Sequence, residues 1–282
     1  MASHKTHHPN GHANMKTLVT LLGLTCVLAA CGNEPANTQA SDAAADSDTA
    51  NAAVSIYAAA VADSSRLEAD YGRDAGRKPD QVLEFFGVEP GMTVLDMFAG
   101  GGYYTELVSY VVGENGRVVA HTNEPYLGFV GKEHDLRHAN GRLTNVEILM
   151  AENNELSLNE AEFDAILLVM AYHDTYHSDP ENDWHRIDVP TFLAELNRGL
   201  KPTGFIGIID HYADPGSSRH DGAEIHRIDP AIVIEDMQAA GFTLEEQSDI
   251  LRNPDDDHSA NVFKPEVYGK TDRFTMRFRK AD

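Results

Sequence analysis

The stretch PGMTVLDMFAGGGYYTELV, residues 90–108, decides the fold. A Pro90-Gly91 turn signal leads into a short apolar run, Thr93 to Asp96, that reads as a strand. The glycines Gly100, Gly101 and Gly102 interrupt it, and Thr105 to Val112 then reads as a helix. Glycines at such a junction let backbone approach a ligand closely, just where the first N–H groups of a helix lack partners. An anionic group is expected there, either a phosphate or the carboxylate of an amino-acid-like cofactor; a tight turn with no ligand is the alternative.

Working outward, strand-like and helix-like segments alternate. Arg117 to His121, Val146 to Met150, Ala165 to Met170 and Phe205 to Asp210 are β-branched or continuously apolar runs. Such runs are typical of parallel strands covered on both faces. Val189 to Arg198 has helical spacing and ends before Gly199 and Pro202, and Asp229 caps a helix from Pro230 to Gly241. From Arg273 to Arg279, arginine or threonine alternates with Phe274, Met276 and Phe278, which predicts a half-exposed antiparallel strand. The expected class is α/β, a doubly wound and mostly parallel seven-stranded sheet with an antiparallel C-terminal strand.

Composition narrows the function. Of 282 residues, 45 are Asp or Glu against 22 Lys or Arg, a net charge of -23, which repels phosphate backbones and excludes nucleic acid as an expected partner. The expected partner is a small-molecule substrate.

The N-terminal part reads as an address. Thr17 to Ala30 is an uncharged run after Lys16, shorter than the roughly 20 residues of a membrane span, and fits a secretory signal. It closes with Leu28-Ala29-Ala30-Cys31-Gly32, which resembles a bacterial lipobox and implies a lipidated Cys31. Residues 1–30 are therefore expected to be a signal peptide with extra N-terminal residues, Met15 being the favoured start. Residues 31–62, dominated by Ala, Asp, Ser, Thr and Asn, are expected to form a disordered tether, and 63–282 the folded domain. The expected location is the periplasmic side of the bacterial envelope, with membrane contact through Cys31 alone; a cytoplasmic protein is the alternative.

Residues 90–108, together with GLKPTGFIGIIDH (199–211), HRIDPAIVIEDMQAAGF (226–242), LRNPDDD (251–257) and TDRFTMRFRK (271–280), resemble class I S-adenosylmethionine-dependent methyltransferases, in particular a bacterial branch of them. The resemblance implies a methyl transfer from S-adenosylmethionine. It implies cofactor contacts from Asp96, Phe98, Ala99, Gly100, Gly101, Gly102 and Tyr104, with Phe98 standing where a glycine is usual. It places the ribose acid near Asn123 and Glu124, Thr122 occupying the commonest acid position. Glu152 and Asn153 fall at the adenine position, and Met170 ends the fourth strand.

Ligands of open α/β sheets bind beyond the carboxyl ends of the strands. Two such ends carry His173 and Asp174, with Tyr172, Tyr176 and His177 beside them, and Asp210 and His211. A neutral imidazole oriented by a carboxylate takes protons near pH 7, so His173, Asp174 and His211 are the candidate catalytic residues. The same histidines, His177 and His226 included, also offer ligands that divalent metals prefer, but a three-residue gap on a loop is no metal fingerprint, and no metal is assigned.

Overall fold

The structure is a computed structural model that describes residues 54–281. The signal-like run, Cys31 and the first part of the expected tether lie outside the described residues. Three short helices lead in: α1 (Ile56–Val61), α2 (Tyr71–Arg77) and α3 (Pro79–Phe86). Then come β1 (Thr93–Met97), α4 (Tyr103–Val112), β2 (Arg117–Thr122), α5 (Glu124–His138), β3 (Val146–Met150) and β4 (Phe163–Val169). The chain ends with α6 (Val189–Gly199), β5 (Leu200–His211), α7 (Arg219–Glu224), α8 (Pro230–Ala239), β6 (Phe242–Ser248) and β7 (Arg273–Lys280).

The seven strands form one sheet in the order β3-β2-β1-β4-β5-β7-β6, and β7 runs antiparallel to both of its neighbours. This is the architecture expected from the alternating segments. Adjacent residues of the central strands face opposite cores: Val94, Leu167 and Phe205 enter one cluster, and Leu95, Ile166 and Ile206 the other. Burial on both faces is why these strands read as unbroken apolar runs instead of alternating ones.

The folded part begins earlier than residue 63. Ser55 Oγ caps α1 by accepting from the Ala58 N–H at 3.1 Å, and Ala60 is buried where α1 packs on α3 and α4. The polar average over residues 31–62 hides this apolar turn, Ile56 to Val61. At the other end, β6 escapes a pattern reading because its residues Thr243 to Ser248 are mostly polar and half or fully exposed.

Strand order reverses between β1 and β4, so their carboxyl ends open the crevice in which such sheets bind ligands. Both ends of α5 touch this edge. Tyr126, near its start, stacks on Phe98 with ring centroids 5.4 Å apart. Arg137, near its end, donates from Nε to the Gly101 carbonyl oxygen at 2.6 Å.

Candidate active site

Beyond β1, Phe98 takes a left-handed backbone, φ 57°, and turns its ring inward among His121, Tyr126 and Phe192. Ala99 N–H donates to the His121 carbonyl, which ties the loop to β2. Gly102, φ 77°, caps α4. Asp96 is buried and accepts from Thr105 Oγ1 at 2.5 Å; burial pushes its carboxyl up to about 6 although that hydrogen bond pulls the other way.

The glycine loop is covered by the chain's own side chains. A Cβ on Gly101 would lie 2.4 Å from Glu133 Cδ, and one on Gly102 would lie 2.8 Å from Arg137 Cδ. Arg137 is fully buried and pairs with Asp70 and with Glu106, both also buried. In this arrangement the glycines make room for α5.

The ends of β2 and β3 and the turn after β4 enclose a cavity of about 200 Å³ whose wall includes Phe98, Asn123, Tyr126, Glu152, Asn153, Asp174 and His177. Asn123 Nδ2 donates to Glu152 Oε2 at 3.4 Å, and Asn153 Oδ1 is buried without a partner among the described residues. Thr122 Oγ1 is likewise buried and unpaired among them. His121 donates from Nε2 to the Ala151 carbonyl at 2.9 Å, the tautomer its surroundings require, and burial holds it down at about 4.

The predicted residues thus separate into groups. Phe98, Asn123, Glu152, Asn153 and Asp174 share one cavity wall. Gly100, Gly101 and Gly102 form the loop behind Phe98, and Ala99 links it to β2. Glu124 is exposed on the first turn of α5. Tyr104 is buried in the core with its hydroxyl toward the Arg77 carbonyl, and Met170 packs against that same core with its sulfur 3.9 Å from Arg273 Nη1; neither lines the cavity. Tyr126 and Trp184 line it and were not legible as site residues, since nothing in their local sequence marks them.

His173 and Asp174 lie on the turn Tyr172–Tyr176. Asp210, buried at the end of β5, accepts from the His173 backbone N–H and from its Nδ1, both at 2.8 Å. Burial disfavours a charged His173, yet the Asp210 and Asp174 carboxylates push it up to about 10. Asp174 is held well below its usual range: burial works against this, but His173 and hydrogen bonds from His226 and Tyr126 prevail. His211 turns away, with Nδ1 2.6 Å from Thr271 Oγ1, and burial together with the His173 and arginine charges drives it well below its usual value.

A second and larger cavity, about 640 Å³, lies on the far side of the same turn, between α6 and α8. Ile187, Val189, Leu193 and Ala240 give it apolar walls, with Tyr176, Arg186, His220 and Asp236 as polar groups. Ile187 lines both cavities.

The sequence model of the protein-L-isoaspartate(D-aspartate) O-methyltransferase family matches residues 75–177. Over these residues and in its fold the chain is similar to S-adenosylmethionine-dependent methyltransferases, a likeness that implies S-adenosylmethionine as the cofactor. Among curated relatives, the ubiquinone/menaquinone biosynthesis C-methyltransferase UbiE of Escherichia coli O1:K1 / APEC is 27% identical over 201 residues, 69% of this chain and 73% of that one. In fold, the chain is similar to a chain of the Haloferax volcanii complex containing the Trm112 methyltransferase activator, with 20% identity, TM-score 0.51, and coverage of 80% of this chain and 98% of that chain. It is also similar to an S-adenosylmethionine dependent methyltransferase from Mesorhizobium loti, with 14% identity, TM-score 0.50, and coverage of 74% and 100%.

The residues fit this cofactor in one half of the site. Asn123, Glu152 and the unpaired Asn153 Oδ1 suit the hydroxyl and amino groups of a nucleoside. At about 200 Å³ the cavity is smaller than the roughly 300–1,000 Å³ of ordinary ligand pockets. The remaining space, beside Gly101 and Gly102, is held by Glu133 and Arg137.

Proposed function

We propose that the domain transfers a methyl group from S-adenosylmethionine to a small acceptor with an apolar body. The observation that carries this reading is the unpaired Asn153 Oδ1 beside Glu152 and Asn123, at the strand ends where a nucleoside belongs. The cofactor supplies a methyl group already activated by a sulfonium charge, and its thioether leaves without needing a proton. The chain's task is then to bind and align, which supplies much of the rate in reactions of this kind. Glu152 and Asn123 would hold the nucleoside, and Phe98 and Tyr126 would wall it. The 640 Å³ cavity, which shares the wall residue Ile187 with the first, would receive the acceptor. The Escherichia coli relative is named for ubiquinone/menaquinone biosynthesis, and a ring-bearing apolar acceptor of that kind suits walls of Ile187, Val189 and Leu193. Calorimetric titration of the full chain with S-adenosylmethionine and with its demethylated product should give saturable heat in the parent. Glu152→Gln should weaken it; no heat in the parent would remove the reading.

The envelope location belongs to the same proposal. It is supported by the signal-like run Thr17 to Ala30 and by Leu28-Ala29-Ala30-Cys31. Labelling cells with a radioactive fatty acid should mark the parent and not Cys31→Ala, whereas an unlabelled parent would favour the cytoplasm.

One observation favours a second reading, in which the fold is kept as a binding module without transfer: Glu133 and Arg137 stand against the glycine loop. Gly100 has φ 58°, so Gly100→Val would strain the loop. That change should abolish S-adenosylmethionine binding under the first reading and leave ligand binding elsewhere intact under the second.

A further inference from the structure

We propose that His173, Asp174 and His226 form a binding site for a divalent transition metal of the zinc class, at the wall of the smaller cavity. The inference goes beyond methyl transfer and does not depend on it. His173 and Asp174 come from the turn after β4, and His226 follows α7, more than fifty residues away in sequence. Their ligand atoms converge: His173 Nε2 lies 3.2 Å from Asp174 Oδ1 and 3.2 Å from His226 Nδ1, and His226 Nδ1 lies 3.5 Å from Asp174 Oδ1.

The triangle has the size of a metal's ligand face: with metal–nitrogen and metal–oxygen bonds of about 2.0–2.2 Å, ligand–ligand edges run from roughly 2.8–3.1 Å around an octahedral ion to roughly 3.3–3.6 Å around a tetrahedral one. The observed edges lie between the two and at the tetrahedral end, and two imidazoles with one carboxylate are the donors that zinc prefers. Three protein ligands would leave the fourth position open, the pattern of catalytic zinc sites, and would suit an oxygen or sulfur ligand there.

The supporting groups are arranged as they are around bound metals. Asp210 accepts from His173 Nδ1 and so orients the ring with Nε2 toward Asp174 and His226, where an ion would take the place of the Nε2 proton. Tyr126 donates its hydroxyl to Asp174 Oδ2, leaving Oδ1 for the ion. His226 adopts φ 57°, a left-handed conformation that few non-glycine residues take, and so brings Nδ1 to the other two ligands. Asp174 lines the cavity, so an ion held by it would sit at the cavity wall. His177 is near His226, with ring centroids 5.7 Å apart, but is not part of the converging set.

The test uses the full chain, stripped with a chelator and titrated with Co²⁺ at neutral pH. The expected result is the strong visible absorption of four-coordinate cobalt, saturating at one equivalent and bleached by Zn²⁺. His226→Ala, at a partly exposed position, should weaken binding about tenfold or more, and so should Asp174→Asn, which keeps an oxygen for Tyr126 to donate to. His177→Ala should bind as the parent does. Because every variant retains His4, His7, His8 and His12, equal binding by the parent, His226→Ala and Asp174→Asn would assign the metal to that N-terminal run and overturn the site. Only the weak absorption of six-coordinate cobalt in the parent would overturn it as well.

Discussion

Glu133 lies against Gly101 so closely that its Cδ would be 2.4 Å from a Cβ at that position. The glycine loop and α5 therefore meet in a contact that the cofactor would have to share. Removing the carboxylate should relieve the competition: Glu133→Ala is expected to bind S-adenosylmethionine more tightly than the parent, by about threefold to tenfold. Calorimetry checks this, and weaker binding by the variant would mean that Glu133 helps to hold the ligand.

Arg137 is the anchor of the same helix. It neutralises Asp70 and Glu106, all three side chains being essentially inaccessible. Arg137→Met would leave Asp70 to Arg73 and Glu106 to Arg142 but take the guanidinium from the buried Asp70 Oδ2 and Glu106 Oε2, a loss expected somewhat below the roughly 3–5 kcal/mol of a buried pair broken outright. Urea unfolding of the two proteins measures it; a difference below about 1 kcal/mol would mean that α5 is not held by this cluster.

Glu152 offers the charged acceptor at the nucleoside end. Hydrogen bonds to charged groups contribute about 1.5–3 kcal/mol, so Glu152→Gln should weaken S-adenosylmethionine binding by about tenfold to a hundredfold. Glu124→Gln, on the exposed turn of α5, should change it by less than about twofold. A reversed order would make Glu124 the main acidic contact to the nucleoside.

Stability should depend on pH through His121. Its folded value is about 4 against an ordinary 6.5, so between those limits the unfolded chain holds the proton and the folded chain does not. Stability due to a neutral His121 is therefore complete above about 6.5 and is lost as pH falls toward 4, by up to roughly 3 kcal/mol. Asp96 works in the opposite sense, since its raised value of about 6 favours the folded state at low pH. Unfolding curves at several pH values should show a shallower acid loss in His121→Leu and a steeper one in Asp96→Asn than in the parent.

What could be read without coordinates was whatever local pattern encodes. The central strands were legible because burial on both faces makes them continuously apolar, and the glycine loop because a strand-to-helix junction leaves a mark in sequence. Helix α5 was not, for its apolar residues do not gather on one face; Phe129 and Leu136 are exposed. That it lies across the carboxyl edge follows from distant partners, Phe98 at one end and Asp70 at the other. The histidines were visible as a group, but only the fold shows that His226 joins His173 while His211 turns toward Thr271.

The central claim is that S-adenosylmethionine binds where the glycine loop meets the ends of β2 and β3, and amide hydrogen exchange of the full chain with and without the cofactor tests it most directly. The predicted result is added protection in residues 98–103, 122–126 and 151–155, with little change around α8. Protection confined to α6 and α8, or none at all at saturating cofactor, would contradict it.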